Sequence, residues 1–142
     1  SITGSHPYLE AYRVNYTTET VASFDVYIDR PDRWDADLNL LHHHDTDDPR
    51  GPPLLSANLS LTTWDVIIVD APLGCCGMGP GRYQSIYTSK LLATPGLTRI
   101  VVDDYDRKVE REFSKAVFRR EPSFVISRVD PDTLELQAHY DA

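Results

Sequence analysis

An apolar run that ends in a carboxylate constrains the fold of this chain more than any other segment. The run is Trp64-Asp65-Val66-Ile67-Ile68-Val69-Asp70-Ala71-Pro72, and a glycine-rich loop follows it up to Arg82. Consecutive β-branched residues predict a buried strand that ends near Asp70. In open α/β sheets, ligands bind outside the carboxyl ends of the strands. Asp70 and the loop after it are therefore the first candidates for a functional site.

Helix and strand patterns alternate after this run, and together they predict an α/β sheet. The predicted elements lie at residues 82–92 (helix), 97–102 (strand), 107–118 (helix), and 124–129 with 134–140 (a hairpin). Such an order favours parallel strands at the centre of the sheet and antiparallel strands at its C-terminal end. The second apolar strand ends in Asp103-Asp104, and these carboxylates are the next candidates after Asp70.

The N-terminal part of the chain has weaker patterns. Residues 9–14 predict a first strand, whereas residues 21–28 fit either a strand or an amphipathic helix. Residues 29–61 are expected to form an irregular surface excursion, because their first half is rich in Asp, Pro, Arg and His. A helical turn or two is expected within it, at residues 34–41. The whole chain, 1–142, is expected to form a single domain.

Composition excludes several classes of partner. The chain has 142 residues, of which 41% are hydrophobic and 25% charged, and its formal net charge is -8 at pH 7. This charge argues against binding to a nucleic-acid backbone or to an anionic membrane. No apolar run approaches the roughly 20 residues that a bilayer span requires. We therefore expect no nucleic-acid partner and no direct membrane contact.

Three local clusters admit more than one interpretation. His42–His44 and the acids after them favour a solvated loop over a metal site, because adjacent side chains on an extended segment point apart. The adjacent Cys75 and Cys76 have neither disulfide nor zinc spacing. Their sequence context favours two small apolar residues that line a loop over a reactive thiol. Gly77-x-Gly79-x-Gly81 is similar to a dinucleotide-binding fingerprint, although the strand ends several residues too early for it.

Five short motifs stand in a distinctive order along the chain. They are His6-Pro7-x-Leu9-Glu10-Ala11-Tyr12, Val69-Asp70-Ala71-Pro72-x-Gly74, Pro80-Gly81-Arg82, Ile86-Tyr87-Thr88, and Asp104-x-Asp106-Arg107-Lys108-Val109-Glu110. Together they resemble the plant polysaccharide-biosynthesis family of glucuronoxylan 4-O-methyltransferases and irregular-xylem proteins. The resemblance implies the C-terminal part of a Rossmann-like class I methyltransferase sheet with its first strands missing. One departure is Asp103, which stands where this family commonly has a histidine.

This resemblance implies an O-methyltransferase that uses S-adenosylmethionine to methylate glucuronic acid side chains of xylan (glucuronoxylan). An alcohol must lose its proton as it attacks the methyl group, so Asp70, Asp103 and Asp104 are candidate catalytic residues. Asp70 also fits a structural role in capping the turn after its strand. Arg82 and Arg107 are candidates for binding the substrate carboxylate. Arg82 equally fits a solvated helix start or an internal ion pair with Asp70 or Asp104. For Arg107, an internal salt-bridge cluster with Asp104 and Asp106 that shapes the loop is favoured.

The resemblance further implies that the cofactor contacts Asp70, Ala71, Pro72 and Gly74, and no resident metal is expected. An alternative function is a non-catalytic domain that binds polysaccharide or proteins during xylan biosynthesis. Relatives imply a location in the Golgi lumen, and the chain itself is expected to be soluble. A sheet without its first strands would expose an unpaired edge, so we also expect dimerisation or aggregation.

Overall fold

The computed structural model describes residues 14, 16–41, 44–45, 48–53, 59, 61–73, 79–130 and 133–142. Within them lie a two-stranded sheet and a four-stranded mixed sheet, with helices packed against the larger one. The chain is therefore an α/β protein, as its sequence predicts. Of the predicted first strand at residues 9–14, only Val14 lies within the described residues.

The N-terminal described segment is helical. Helix α1 spans Thr20–Asp29, a 3-10 turn spans Pro31–Arg33, and helix α2 spans Trp34–Leu38. The ambiguity at residues 21–28 is thus resolved in favour of a helix. Pro31 begins the 3-10 turn, where its missing N–H costs no hydrogen bond. The indole N–H of Trp34 donates to the carbonyl of Tyr27 at 2.6 Å and ties the two helices together.

Helix α2 confirms the helical turn expected within residues 34–41, but the expectation that this segment lies on the surface is wrong. Trp34, Leu38 and Leu40 are buried, and the first two belong to the main hydrophobic core. Their burial depends on packing against distant residues, which local composition does not reveal. Strands β1 (His44–Asp45) and β2 (Asp48–Pro53) then form an antiparallel pair that the sequence does not predict.

The strongest sequence patterns form the centre of the larger sheet. Strand β3 spans Val66–Val69, helix α3 spans Tyr83–Leu92, and strand β4 spans Arg99–Val102. The two strands are parallel, with Val66 opposite Arg99 and Val69 opposite Val102. A helix between two adjacent parallel strands is the usual connection for such a pair. The predicted strands and the helix between them are confirmed.

The C-terminal elements complete this sheet. A π-helical turn at Val109–Phe113 continues into helix α4, Ser114–Phe118, and strands β5 (Phe124–Asp130) and β6 (Thr133–Asp141) form the predicted hairpin. Strand β6 pairs antiparallel with β4, which gives the order β3-β4-β6-β5. Strand β3 therefore stands at one end of the sheet among the described residues.

The helices bury one face of the larger sheet. The core joins residues of β3, β4 and β6 to residues of α3, the π-helical turn and α4; they include Val69, Ile100, Val102, Ala138, Tyr140, Tyr83, Ile86, Phe113 and Val117. Alternate residues of the strands point to the opposite face, where Val66, Ile68, Phe124 and Ile126 are exposed. The sequence predicted that the strand ending near Asp70, now β3, is buried. This expectation is wrong for Val66 and Ile68, which are half of its residues.

No helix in the described part of the chain is long and apolar enough to cross a membrane.

Candidate functional site

Carboxylates gather where the two parallel strands end. Asp70 directly follows β3 and Asp103 directly follows β4, and the register of the pair places their preceding residues, Val69 and Val102, side by side. The backbone N–H of Asp103 donates to the carbonyl of Val69 at 3.0 Å, which extends the pairing by one step. Carboxylate oxygens of Asp70, Asp103 and Asp104 all lie within 4.8 Å of one another. The three predicted acids thus form one cluster, here called the acidic cluster.

Asp104 adopts a conformation that is uncommon for a residue with a side chain. Its φ is +54°, in the left-handed region that favours glycine. This conformation turns the chain immediately after Asp103, and the carbonyl of Asp104 accepts a hydrogen bond from the N–H of Arg107 at 3.0 Å. The side chain of Arg107 returns to Asp104, with its Nη1 2.7 Å from Oδ2. The turn and the ion pair therefore hold Asp104 beside the strand ends.

Arg82, the residue before α3, is buried inside the site. Its Nη1 donates to the carbonyl of Asp103 at 2.7 Å, Nη2 donates to the carbonyl of Asp70 at 3.3 Å, and Nε donates to the carbonyl of Pro72 at 3.4 Å. Nη2 also pairs with the carboxylate of Asp104 and lies 3.5 Å from Oδ1 of Asp70. Of the interpretations of this arginine, the structure displays the internal ion pair. With its side chain only 4% exposed, Arg82 offers little surface for the expected contact with substrate.

Arg107 lies closer to solvent than Arg82. Its side chain is 30% exposed while one nitrogen pairs with Asp104. A guanidinium carries five N–H donors in a fixed planar arrangement. The ion pair with Asp104 leaves room for Arg107 to meet an anionic ligand as well. The predicted pairing of Arg107 with Asp106 is not displayed; instead, the carbonyl of Asp106 accepts a hydrogen bond from Nη1 of Arg111 at 2.8 Å.

The electrostatics of the acidic cluster raise the pKa of Asp70 above the usual carboxyl value. A hydrogen bond with the carboxyl of Asp103 raises the pKa of Asp70 most, followed by partial burial and the negative charge of Asp103, while Arg82 opposes the rise. Two carboxylates this close cannot both ionise freely, because each charge disfavours the other. Oδ1 of Asp103 accepts a hydrogen bond from Nε2 of Gln137 at 2.8 Å. Strand β6 thereby fixes one member of the pair.

A groove lies beside β3 and opens next to Asp70. Its volume is about 390 Å³, within the range of roughly 300–1,000 Å³ that is usual for small-molecule sites. Strand β3 and the loop after it form one wall, including Ile68, Asp70 and Ala71. Helix α3 and the segment before α1 form the other wall, with Ser85 and Tyr16 among its residues. The groove combines apolar walls with one carboxylate at its edge.

Only some of the residues expected to bind the cofactor line the groove. Asp70 and Ala71 line the groove, whereas the carbonyl of Pro72 accepts a hydrogen bond from Arg82. Gly74, together with Cys75, Cys76 and Gly77, lies outside the described residues. Gly79 and Gly81 of the alternative fingerprint both have positive φ. A Cβ at Gly79 would lie 2.5 Å from the carbonyl oxygen of Leu73, so that part of the loop folds tightly on itself.

The contacts of the acidic cluster support ion pairing with arginines better than they support binding of a metal ion. Hard divalent cations bind close carboxylate oxygens, and the acidic cluster supplies such oxygens. Arg82 and Arg107 already neutralise part of that charge, so we assign no ion to it. In the His42–His44 run, residues 42 and 43 lie outside the described residues, and His44 belongs to β1.

Glu110 belongs to the site although it was not among the residues expected there. This carboxylate is fully buried, and its Oε1 lies 3.7 Å from Nε of Arg82. The sequence did contain a signal for its burial. Glu110 stands three positions before Phe113 and seven before Val117, and this spacing places it on the same side of a helix as these apolar residues. Gln137 was also missed, since its contact with Asp103 joins residues far apart in sequence.

The fold and the site together define an α/β protein with an ion-paired acidic cluster at the carboxyl ends of parallel strands. The IRX15/IRX15L/GXM family matches residues 1–125. The chain therefore belongs to this family.

Curated relatives agree with this membership. Over 129 residues the chain is 35% identical to glucuronoxylan 4-O-methyltransferase 2 of Arabidopsis thaliana, a match that covers 82% of the chain and 41% of the relative. It is 34% identical to protein IRREGULAR XYLEM 15 of the same plant, over 75% of the chain and 35% of the relative. Arabinogalactan O-methyltransferase 1 is 36% identical over 58 residues, which is 38% of the chain and 20% of the relative.

The chain thus spans about two fifths of the length of the first of these relatives. No solved structure matches the chain significantly.

Proposed function

We propose that this chain forms part of an S-adenosylmethionine-dependent O-methyltransferase that acts on glucuronic acid side chains of xylan. One observation carries the proposal: an exposed carboxylate, Asp70, stands at the carboxyl end of a parallel strand and borders a groove of ligand size. The family contains relatives named as methyltransferases of glucuronoxylan and of arabinogalactan. The position of Asp70 and those names together support methyl transfer to a sugar hydroxyl.

The sheet supports a Rossmann-like methyltransferase fold. Two parallel strands joined by α3 form the repeating unit of doubly wound sheets, in which ligands bind beyond the carboxyl ends of the strands. The antiparallel strands β6 and β5 continue the sheet past this unit, as expected for its C-terminal end. In the proposed fold, β3 is an interior strand of a larger sheet, which accounts for its apolar residues on both faces.

Asp70 would accept the proton of the attacking sugar hydroxyl. A general base works best when its pKa approaches the working pH, and Asp103 raises the pKa of Asp70 in that direction. The side chain of Asp70 is 68% exposed, so a substrate can reach it. Asp103 raises the pKa of Asp70, and Asp104 holds the two arginines. The three candidate acids thus have separate parts in the proposed site.

Arg107 is the better candidate of the two arginines for contact with a uronic acid. Its guanidinium is partly exposed, while that of Arg82 is buried. A carboxylate pairs with a guanidinium through two parallel hydrogen bonds, a geometry that also fixes the orientation of the sugar. Arg82 instead holds the loops that carry Asp70 and Asp103. We therefore assign substrate contact to Arg107 and loop organisation to Arg82.

The groove supports part of a cofactor site. S-adenosylmethionine, when bound, supplies a methyl group on a positively charged sulfur. The carboxylate of Asp70 is suited to a ligand with such a charge, and the apolar wall of β3 would give its flat adenine ring a surface to pack against. Asp70 and Ala71 would contact it directly, and Pro72 would set the course of the loop. Gly74 remains a candidate from the resemblance, and a Golgi location remains a proposal on the same basis.

A second candidate function is a non-catalytic domain that binds polysaccharide or protein in xylan biosynthesis. Protein IRREGULAR XYLEM 15, which is 34% identical over three quarters of the chain, carries no activity in its name. In this alternative, the exposed acids and Arg107 would contact a sugar chain without transferring a methyl group.

The test is methyl transfer from tritiated S-adenosylmethionine to glucuronoxylan, using the protein in which this chain occurs. We expect Asp70→Asn to lower kcat by about 100- to 10,000-fold, the usual contribution of a general base. Asp106→Asn, at an exposed acid in the same family motif, is the matched control and should retain the rate of the wild type. Equal rates for Asp70→Asn and wild type would exclude Asp70 as the base. Binding of glucuronic-acid-bearing xylo-oligosaccharides without methyl transfer would favour the second candidate.

A further inference from the structure

Glu110 is a buried carboxylate that the proposed reaction does not use directly. Its side chain is fully buried, and neither carboxylate oxygen has a hydrogen-bond partner among the described residues. Isolated charges are costly in a protein interior unless an opposite charge compensates them. Among the described residues, Arg82 supplies this opposite charge, with its Nε 3.7 Å from Oε1 of Glu110. Burial raises the pKa of Glu110, and the charge of Arg82 opposes that rise. Arg82 and Glu110 therefore form an ion pair inside the core, and this pairing favours the charged carboxylate.

A local irregularity of the helix surrounds Glu110. The segment Val109–Phe113 is π-helical, and Phe113 and Val109 are both buried in the core. A π-helical turn inserts one extra residue per turn, and such insertions occur frequently at functional sites because they change the direction of side chains. In this protein, Glu110 is buried on the side of the segment that faces Arg82.

Arg82 pairs with one carboxylate in the core, that of Glu110, and with two carboxylates nearer to solvent, those of Asp70 and Asp104. Asp70 and Asp104 are both more exposed than Glu110, which lies in the core. The remaining donors of Arg82 hold carbonyls of the loops after β3 and β4. A guanidinium is planar and rigid, so fixing one edge of it also fixes the direction of the other.

We propose that Glu110 is a positioning residue that orients Arg82 from the core side and thereby holds the two loops of the acidic cluster in register. The consequence for catalysis rests on the proposed function. When Asp70 takes up the proton of the sugar hydroxyl, Arg82 loses the charge of one nearby anion. Glu110 keeps a counter-charge beside the guanidinium at that moment, so Arg82 retains its hydrogen bonds to the carbonyls of Asp70 and Asp103.

The first test follows the Nε–H of Arg82 by nitrogen-15 NMR in the whole chain. The resonance is assigned by its loss in Arg82→Lys. We expect Glu110→Gln to shift it and to accelerate its exchange with solvent about tenfold, because an interaction with a buried charge is lost. The matched control is Glu112→Gln, since Glu112 lies in the same turn but is partly exposed and pairs with Arg111. That variant should leave the resonance unchanged.

An unchanged Arg82 resonance in Glu110→Gln would overturn the proposal. If that variant does not fold, Glu110→Asp decides the question, because it keeps the charge but withdraws it by one methylene. We expect faster exchange in this variant also, and a rate equal to that of the wild type would contradict the inference.

The second test is the methyl-transfer assay with the same variants. We expect Glu110→Gln to lower kcat about tenfold with little change in KM for the acceptor, as for a group that organises the base rather than binding substrate. Absence of methyl transfer in the wild type would count against the proposed function alone. The NMR result would still decide whether Glu110 positions Arg82.

Discussion

At the scale of single residues, Asp70 is controlled by two neighbours of opposite effect. Asp103 stabilises its protonated form, and Arg82 stabilises its carboxylate. The strand register causes this competition, because it brings two acids together at adjacent strand ends. Active sites commonly hold such perturbed groups at some cost to stability.

The pH dependence of stability should reveal this cost. The folded state raises the pKa of Asp70, so its contribution to stability is fully present below the usual carboxyl value of about 4 and is lost as the pH rises through the raised value. Asparagine resembles the protonated acid. We therefore expect Asp70→Asn to melt at a higher temperature than wild type at pH 7, with a difference that shrinks toward pH 4.

Thermal unfolding followed by circular dichroism at a series of pH values measures this difference. Asp65→Asn, at the other end of β3, is the control and should follow the wild type. A melting temperature of Asp70→Asn below that of the wild type at pH 7 would mean that the attraction of Arg82 dominates.

Sequence alone identified most residues of the site but not how they pair. Carboxylates at predicted strand ends follow from local patterns, and Asp70, Asp103 and Asp104 do lie together. The pairing of Arg82 with Asp104 joins residues 22 positions apart, and the contact with Glu110 also depends on how α3 and the π-helical turn pack. Such distances depend on tertiary structure, so the sequence left the choice between substrate contact and internal pairing open.

At the scale of elements, α2 shows how a segment with polar composition becomes part of the core. Trp34 packs edge-on against Phe113, with ring centroids 5.4 Å apart. The hydroxyl of Thr88 on α3 accepts a hydrogen bond from the N–H of Leu40 at 3.1 Å and donates to the carbonyl of Leu38 at 3.4 Å. A side chain of α3 therefore satisfies the end of α2, where a helix leaves carbonyl groups without partners.

Replacing Thr88 by valine should destabilise the protein although the shape of the side chain is kept. The N–H of Leu40 and the carbonyl of Leu38 would be left buried without a partner, which costs about 1–3 kcal/mol. Thr88→Ser, which retains the hydroxyl, is the matched control and should lose less. Urea unfolding measures both free energies, and equal stability of Thr88→Val and wild type would show that α2 contributes little to the cooperative core.

The helices and strands also differed in how well local sequence indicated their type. Strands β3 and β4, helix α3 and the C-terminal hairpin have periodic apolar patterns or turn residues of their own, so local sequence was sufficient to find them. Helix α1 combines β-branched and aromatic residues in a short segment, which made its type ambiguous. The order β3-β4-β6-β5 places the second hairpin strand inside the sheet, and pairing between distant strands cannot be read from local periodicity.

At the scale of the whole molecule, β3 stands at the end of the sheet among the described residues, yet its composition suits an interior strand. Val69 packs in the core and the half-buried Ile67 lies on the same face of the strand, while Val66 and Ile68 are exposed on the other face. Apolar, unprotected edge strands promote pairing with other chains. Self-association of this chain is therefore expected, and it should depend on the apolar character of β3.

Ile68→Lys should reduce this self-association, because an edge lysine must be desolvated when another strand pairs there. Leu97→Lys is the matched control, since both side chains are 67% exposed but Leu97 lies in a turn. Size-exclusion chromatography with light scattering over a range of concentrations gives the molecular mass. A monomeric wild type at all concentrations would remove the basis for the prediction, and equal effects of both variants would indicate a general effect of charge.

The contacts of Arg82 with main-chain carbonyls have a consequence for how this site can change during evolution. A carbonyl oxygen is present whichever side chain its residue carries, so Arg82 holds the position after β4 through its backbone alone. A different side chain at residue 103 would therefore leave that contact in place. The anchoring of the loop is therefore separate from its chemistry: a substitution at residue 103 would alter the acidic cluster and leave the main-chain contact with Arg82 in place.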